Sequence, residues 1–232
     1  MMKCISRTLS AAPVIAPAAI FVIIISALAA PTSALAGICA AQGGASVTVK
    51  LMDPQPKLVR SSNLRQINSK AKSHGLLKRG NMVLGLTQSE VGTSMSLKFS
   101  GLSRGNVTCL SINRVEASFG HRNLNVLVPR EYARASCQYN TVLKHEMEHV
   151  RVNREGVRKY AVVLRHELER VLGRFNPRQV VSMRVGQADA KRMMERTVRN
   201  VTARFEKEIN AQHALIDKPG GPYDASGACR NW

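Results

Sequence analysis

Cys137-Gln-Tyr-Asn-Thr-Val-Leu-Lys-His145-Glu146-Met147-Glu148-His149-Val150 is the stretch on which the reading of this sequence turns. It contains the pentapeptide HExxH. On a helix of 3.6 residues per turn, His145 and His149 share one face and their imidazoles reach a common point. Zinc takes neutral imidazole nitrogen, and a catalytic zinc site uses three protein ligands while keeping a position open. Glu146, beside the first histidine and not itself a ligand, is placed to take a proton from water acidified by the metal. The pentapeptide therefore predicts a Zn2+ cofactor and hydrolytic chemistry. The competing reading is a pair of surface histidines on a basic helix, with Glu146 and Glu148 in i,i+4 ion pairs.

The flanks predict that helix. Asn140 is a candidate N-cap, no proline falls between Cys137 and Asn176, and Gly173 followed by Pro177 is a stop signal. Leu143, Met147, Val150, Val157, Ala161, Leu164, Leu168 and Val171 recur at spacings of three and four, broken at Arg154. The histidines lie on the other side, together with Val142, Val152, Tyr160 and Val163, so the helix is expected to be covered on both faces.

Upstream, residues 1–36 carry Lys3, Arg7, no acid, an apolar run from Val14 to Ala30 interrupted by Pro17, and then Ser33-Ala34-Leu35-Ala36 before Gly37. This pattern predicts a secretory signal peptide cleaved after Ala36, leaving residues 37–232 as one metallopeptidase domain with no transmembrane span. Export predicts a secreted or periplasmic protein. Cys39, Cys109, Cys137 and Cys229 then form an even set in an oxidising compartment, which allows three disulfide connectivities. The expected one joins Cys109 to Cys137 and Cys39 to Cys229.

Alternation at Val47, Val49 and Leu51, and at residues 82–86, 95–99, 107–112 and 124–128, predicts strands, with a short helix over 61–74 and turns at Gly101, Gly105-Asn106 and Gly120. A second long helix is marked by Met194, Val198, Val201, Phe205 and Ile209 and ends before Pro219. The expected fold class is α+β: a small, mostly antiparallel sheet followed by two long antiparallel helices, the first carrying HExxH.

The net charge of +19 favours polyanions. With a single Trp and 4% aromatic residues, a base-stacking surface is not expected, and no nucleic-acid module is present. The expected partners are a peptide or protein substrate and anionic envelope polymers, not specific nucleic acid.

Cys109, the Leu127-Val-Pro129 segment, Cys137-x-Tyr139, His145-Glu-x-x-His149, and a tail with Ile216-Asp217, Tyr223 and Cys229 resemble the bacterial predicted secreted zinc-dependent proteases with an HExxH core. The resemblance implies export, zinc and proteolysis. The sequence departs from the extended metzincin pattern, having Val152 where glycine is wanted and Glu155 where histidine or aspartate is wanted.

A third ligand must come from elsewhere. Glu169 lies twenty residues after His149, about 30 Å along an unbroken helix, and is reached only if Gly156 breaks it. Folding the second helix back about a turn near Gln179 brings His213 level with His145, with Asp217 about one turn further on. His213 is the expected third ligand, with Glu169, His121 and Glu131 in reserve. The rival to a peptidase is a non-catalytic basic envelope protein whose metal site is structural or vestigial.

Overall fold

A strand of 21 residues, β4 (Val107–Leu127), forms the spine of the fold. The computed structural model describes residues 39, 44–77, 82–225, 227–230 and 232. The expected leader, residues 1–36, lies outside the described residues. Along one edge of β4 runs β3 (Leu86–Arg104), antiparallel from Leu86 opposite Leu127 to Arg104 opposite Val107, with the turn at Gly105-Asn106. Three short strands follow one another along the other edge. β5 (Arg178–Val180) pairs antiparallel with residues 108–110, while β1 (Ser46–Met52) and β2 (Lys57–Val59) pair parallel with residues 114–120 and 125–127. Helix α1 (Leu64–Ser73) sits between β2 and β3 in the chain, and α2 (Cys137–Phe175) and α3 (Met183–Ile216) follow the spine.

This corrects the expected fold class. A small, mostly antiparallel sheet followed by two long helices is not what forms: β1 and β2 both run parallel to β4, and with the short helix expected over 61–74 in place as α1 the fold is α/β. A period of two shows that a segment is a strand but carries no information on its direction. Here the chain leaves β1 and β2, turns through α1 and returns along β3, so the spine arrives in the same sense as the strands it finally joins. Gly101 and Gly120, read as turns, lie inside the long strands. Gly120 has φ +140°, and a Cβ there would lie 2.0 Å from the Met52 carbonyl oxygen. Its place marks a close backbone approach of β1 to β4.

Two bulges decide which β4 side chains face the helices. Leu110 and Ile112 point inward; the irregularity opposite Lys98/Phe99 shifts the parity so that Val115, Ala117, Phe119 and His121 do so; the one opposite Glu90/Val91 restores Leu124, Val126 and Val128. The main core joins the first two sets to α2 and α3, with Phe119 edge-on to Phe205 at 5.5 Å between ring centres. Each such large apolar side chain contributes about 1.5–3 kcal/mol on burial. The third set packs under Val142 and Val150 of α2.

Helix α2 begins one turn earlier than the Asn140 reading placed it: Ser136 is the N-cap and its hydroxyl accepts from the Tyr139 amide. It is covered on both faces over much of its length, with Val152 and Tyr160 as buried as Val157 and Leu164, although Met147 stays exposed. It runs unbroken through Gly156. A Cβ there would lie 2.3 Å from the Ile209 Cδ1, so this glycine is where α3 comes closest. Arg154, which breaks the apolar stripe, donates to Asp53 just after β1, as does Arg158. Burial would raise the Asp53 pKa, but the two guanidinium groups hold it below the ordinary carboxylate value.

The disulfides also differ from expectation: Cys39 joins Cys109, and Cys137 joins Cys229. The parallel direction of β1 is consistent with the first, because β1 starts at Ser46 opposite Arg114, five residues from Cys109 on the spine strand. The second follows from α3 running back along α2, which returns the tail to the first turn of α2 where Cys137 sits. Non-reducing peptide mapping should recover these two pairs and not Cys109 with Cys137. Replacing Cys137 and Cys229 by serine should cost about 2–5 kcal/mol in denaturant unfolding.

Candidate metal centre

The two long helices meet in an antiparallel register that two contacts define. His149 Nδ1 lies 2.9 Å from His213 Nδ1, and further along Lys159 Nζ lies 2.7 Å from Glu208 Oε1. One turn from the first contact, towards the start of α2 and the end of α3, His145 meets Asp217. Asp217 Oδ1 is 3.3 Å from His145 Nε2 and 3.0 Å from His149 Nε2, and the two Nε2 atoms are 3.2 Å apart. Three lone-pair donors thus form a nearly equilateral triangle. Tetrahedral zinc with ligand bonds of 2.0–2.1 Å places its ligand atoms about 3.3 Å apart. The donor set and its spacing fit the metal.

The second layer fits as well. The Tyr223 carbonyl lies 2.8 Å from His145 Nδ1 and can only accept, so it holds the proton on Nδ1 and leaves the Nε2 lone pair facing the triangle. Asp217 is the C-cap of α3, where a negative charge opposes the helix dipole. Its placement serves a cation better than it serves the helix. In the absence of a metal, burial would lower the His145 pKa, but the hydrogen bond to Asp217, the Tyr223 carbonyl and the nearby carboxylate charges raise it to about 9. Burial would raise Asp217, and the hydrogen bonds from His145 and His149 instead hold it well below the usual range.

Glu146 is buried, with Thr87 Oγ1 donating to Oε2 at 2.7 Å. Burial raises its pKa against the lowering effect of His149, Thr87 and His145. Its Oε1 lies against Gly85, where a Cβ would come within 2.8 Å of it. The triangle and Glu146 both line a cleft of about 1150 Å³, walled on its other side by the Leu86–Val91 stretch of β3.

Of the third-ligand candidates, His213 stands behind His149 and outside the triangle; with its Nδ1 against the Nδ1 of His149, it is an acceptor for the ligand's outer N–H. Burial, then the charge of His149, lowers the His213 pKa to about 4, which keeps that lone pair available. Glu169 pairs with Arg165 and His166 far along α2. Glu131 accepts from the Leu64 amide at the start of α1. His121 is buried, with Nε2 3.2 Å from the Asn153 carbonyl. Asp217 takes the position expected for His213 because β5 occupies residues 178–180, so the helices pair about a centre near Val181 and α3 is displaced by about one turn. The signal for it was present: His213 and Asp217 are four apart, as His145 and His149 are, so the two helices offer matching pairs to one another.

Comparison with family models, with curated proteins and with solved structures returned no match.

Two outcomes are expected. His213→Ala should weaken zinc binding about 10–100-fold in a chelator competition, and His213→Gln, which keeps an acceptor, should recover part of it. A direct ligand would show near-complete loss in both. The second outcome concerns pH. The folded value of His145 lies above its ordinary 6.5, so its contribution to metal-free stability is complete below about 6.5 and is lost as pH rises through about 9. Metal-free protein should therefore lose Tm across that window. Zinc binding, which must displace the same proton, should tighten over it and remove the loss.

Proposed function

We propose that this chain is an exported zinc-dependent peptidase of the HExxH type, related in kind to the bacterial secreted zinc-dependent proteases its sequence resembles. The single observation that supports the reading most is the triangle of His145 Nε2, His149 Nε2 and Asp217 Oδ1, with buried Glu146 lining the same cleft. A bound zinc ion supplies Lewis acidity there, acidifying water and polarising a carbonyl group. Three protein ligands rather than four favour a catalytic over a purely structural metal, and the half-exposed Asp217 faces solvent.

The residues of the chain divide the remaining work. Glu146 accepts the proton of the attacking water and returns it to the leaving amine, and burial raises its pKa towards the range in which both transfers proceed. Thr87 fixes one carboxylate oxygen, so the other carries the proton. The edge of β3 away from β4 has no strand partner among the described residues and borders the cleft. An extended peptide laid along Leu86–Val91 would satisfy that edge and cross the site.

Two disulfides fit an oxidising, extracytoplasmic compartment. No helix among the described residues is long and apolar enough to cross a membrane. Export itself rests on the leader pattern of residues 1–36.

Glu146→Gln should bind zinc as the unmodified protein does and lose about 10²–10⁴-fold in turnover of a casein or quenched-peptide substrate. Equal turnover in both proteins, or none in either at full zinc occupancy, would leave the basic envelope protein with a structural metal as the better reading.

A further inference from the structure

Among the described residues, the end of the molecule opposite the cleft is built without acids. From Val91 to Val115, and again from Arg170 to Ala188, the sequence has no Asp or Glu. The β3–β4 turn in the first stretch and residues 178–185 in the second form one pole: Arg104 pairs with Val107 at the β3–β4 turn, Thr108 pairs with both Ser103 and Val180, and the Met183 side chain lies against Gly101. Arg104, Arg178 and Arg184 are exposed there, and among the described residues none has a carboxylate partner. The acids that border the pole are already engaged, Glu116 by Arg114, Glu169 by Arg165 and Asp189 by Arg192.

Amid these arginines the pole exposes aliphatic groups. Val181 is 93% exposed, the highest of the large apolar residues among those described, with Leu102 at 48% and Val185 at 40% nearby. A purely electrostatic partner such as nucleic acid or a soluble acidic polysaccharide leaves those three side chains in water. A bilayer with anionic headgroups accommodates both: guanidinium groups lie at the phosphates while short aliphatic side chains enter the boundary with the acyl chains. We infer that this pole docks reversibly on an anionic lipid surface. α2 spans roughly 45 Å from His145 to Phe175, so docking would hold the cleft facing away from the bilayer. The inference does not depend on the chain being a peptidase.

The test is flotation of the full chain with vesicles of phosphatidylglycerol and phosphatidylcholine, or of phosphatidylcholine alone, at about 0.1 M salt. The wild type should float with the anionic vesicles and remain behind with the neutral ones. Replacing Arg104, Arg178 and Arg184 together by serine should weaken binding on the order of 100-fold, about fivefold for each charge. Val181→Ser, a neutral change at a site too exposed to affect folding, should weaken vesicle binding about fivefold and leave retention on a heparin column within twofold. Binding of the triple variant within twofold of the wild type would overturn the inference, since the attraction would then be diffuse. So would equal binding of Val181→Ser and wild type to anionic vesicles, which would mark the pole as a site for soluble polyanions. Zinc affinity and any peptidase activity on a soluble substrate should be unchanged in both variants, so failure here is distinguishable from failure at the metal site.

Discussion

The register between α2 and α3 is the constraint on which the site depends. A displacement of one helix by a single turn exchanges Asp217 for His213 opposite His145. That register is set far from the triangle: by the close approach at Gly156, where Ile209 occupies the space of a side chain, by the Tyr160 and Lys159 contacts to Glu208, and by β5, which ties the connection between the helices to the spine strand. The packed core of β4, α2 and α3 therefore acts as a gauge that holds two pairs of residues, each four apart, against one another.

The site itself runs against local preference in two places. A carboxylate at the C-cap of α3 opposes the helix dipole, and a carboxylate at position 146 is almost wholly buried on a helix rich in bases. Both are stabilised by specific partners, Asp217 by two imidazoles and Glu146 by Thr87. Positions that break a local rule and are then supported by a dedicated partner are where function is expected to reside.

Much of the site was legible before the fold was known. HExxH identified one helix face, and the apolar stripes of both long helices implied that they would meet. The identity of the third donor was not legible, because it depends on where the helices are centred. A run of three residues, Arg178–Val180, too short to be recognised as a strand, moved that centre by half a turn. Strand direction was hidden for a similar reason. Val47, Val49 and Leu51 alternate whether the partner runs parallel or antiparallel, and the disulfide pairing of Cys39 with Cys109 depends on that direction. The two bulges in β4 were likewise invisible to a count of alternation, and they decide that His121 faces inward.

On the proposed reading, His145, His149 and Asp217 share one zinc ion. Anomalous diffraction at the zinc edge from crystals of the zinc-loaded protein tests it most directly. One strong peak is expected about 2.0–2.2 Å from the two Nε2 atoms and from a carboxylate oxygen of Asp217, with His213 remaining hydrogen-bonded to His149. A peak bonded to His213, or one that leaves Asp217 uncoordinated, would contradict it.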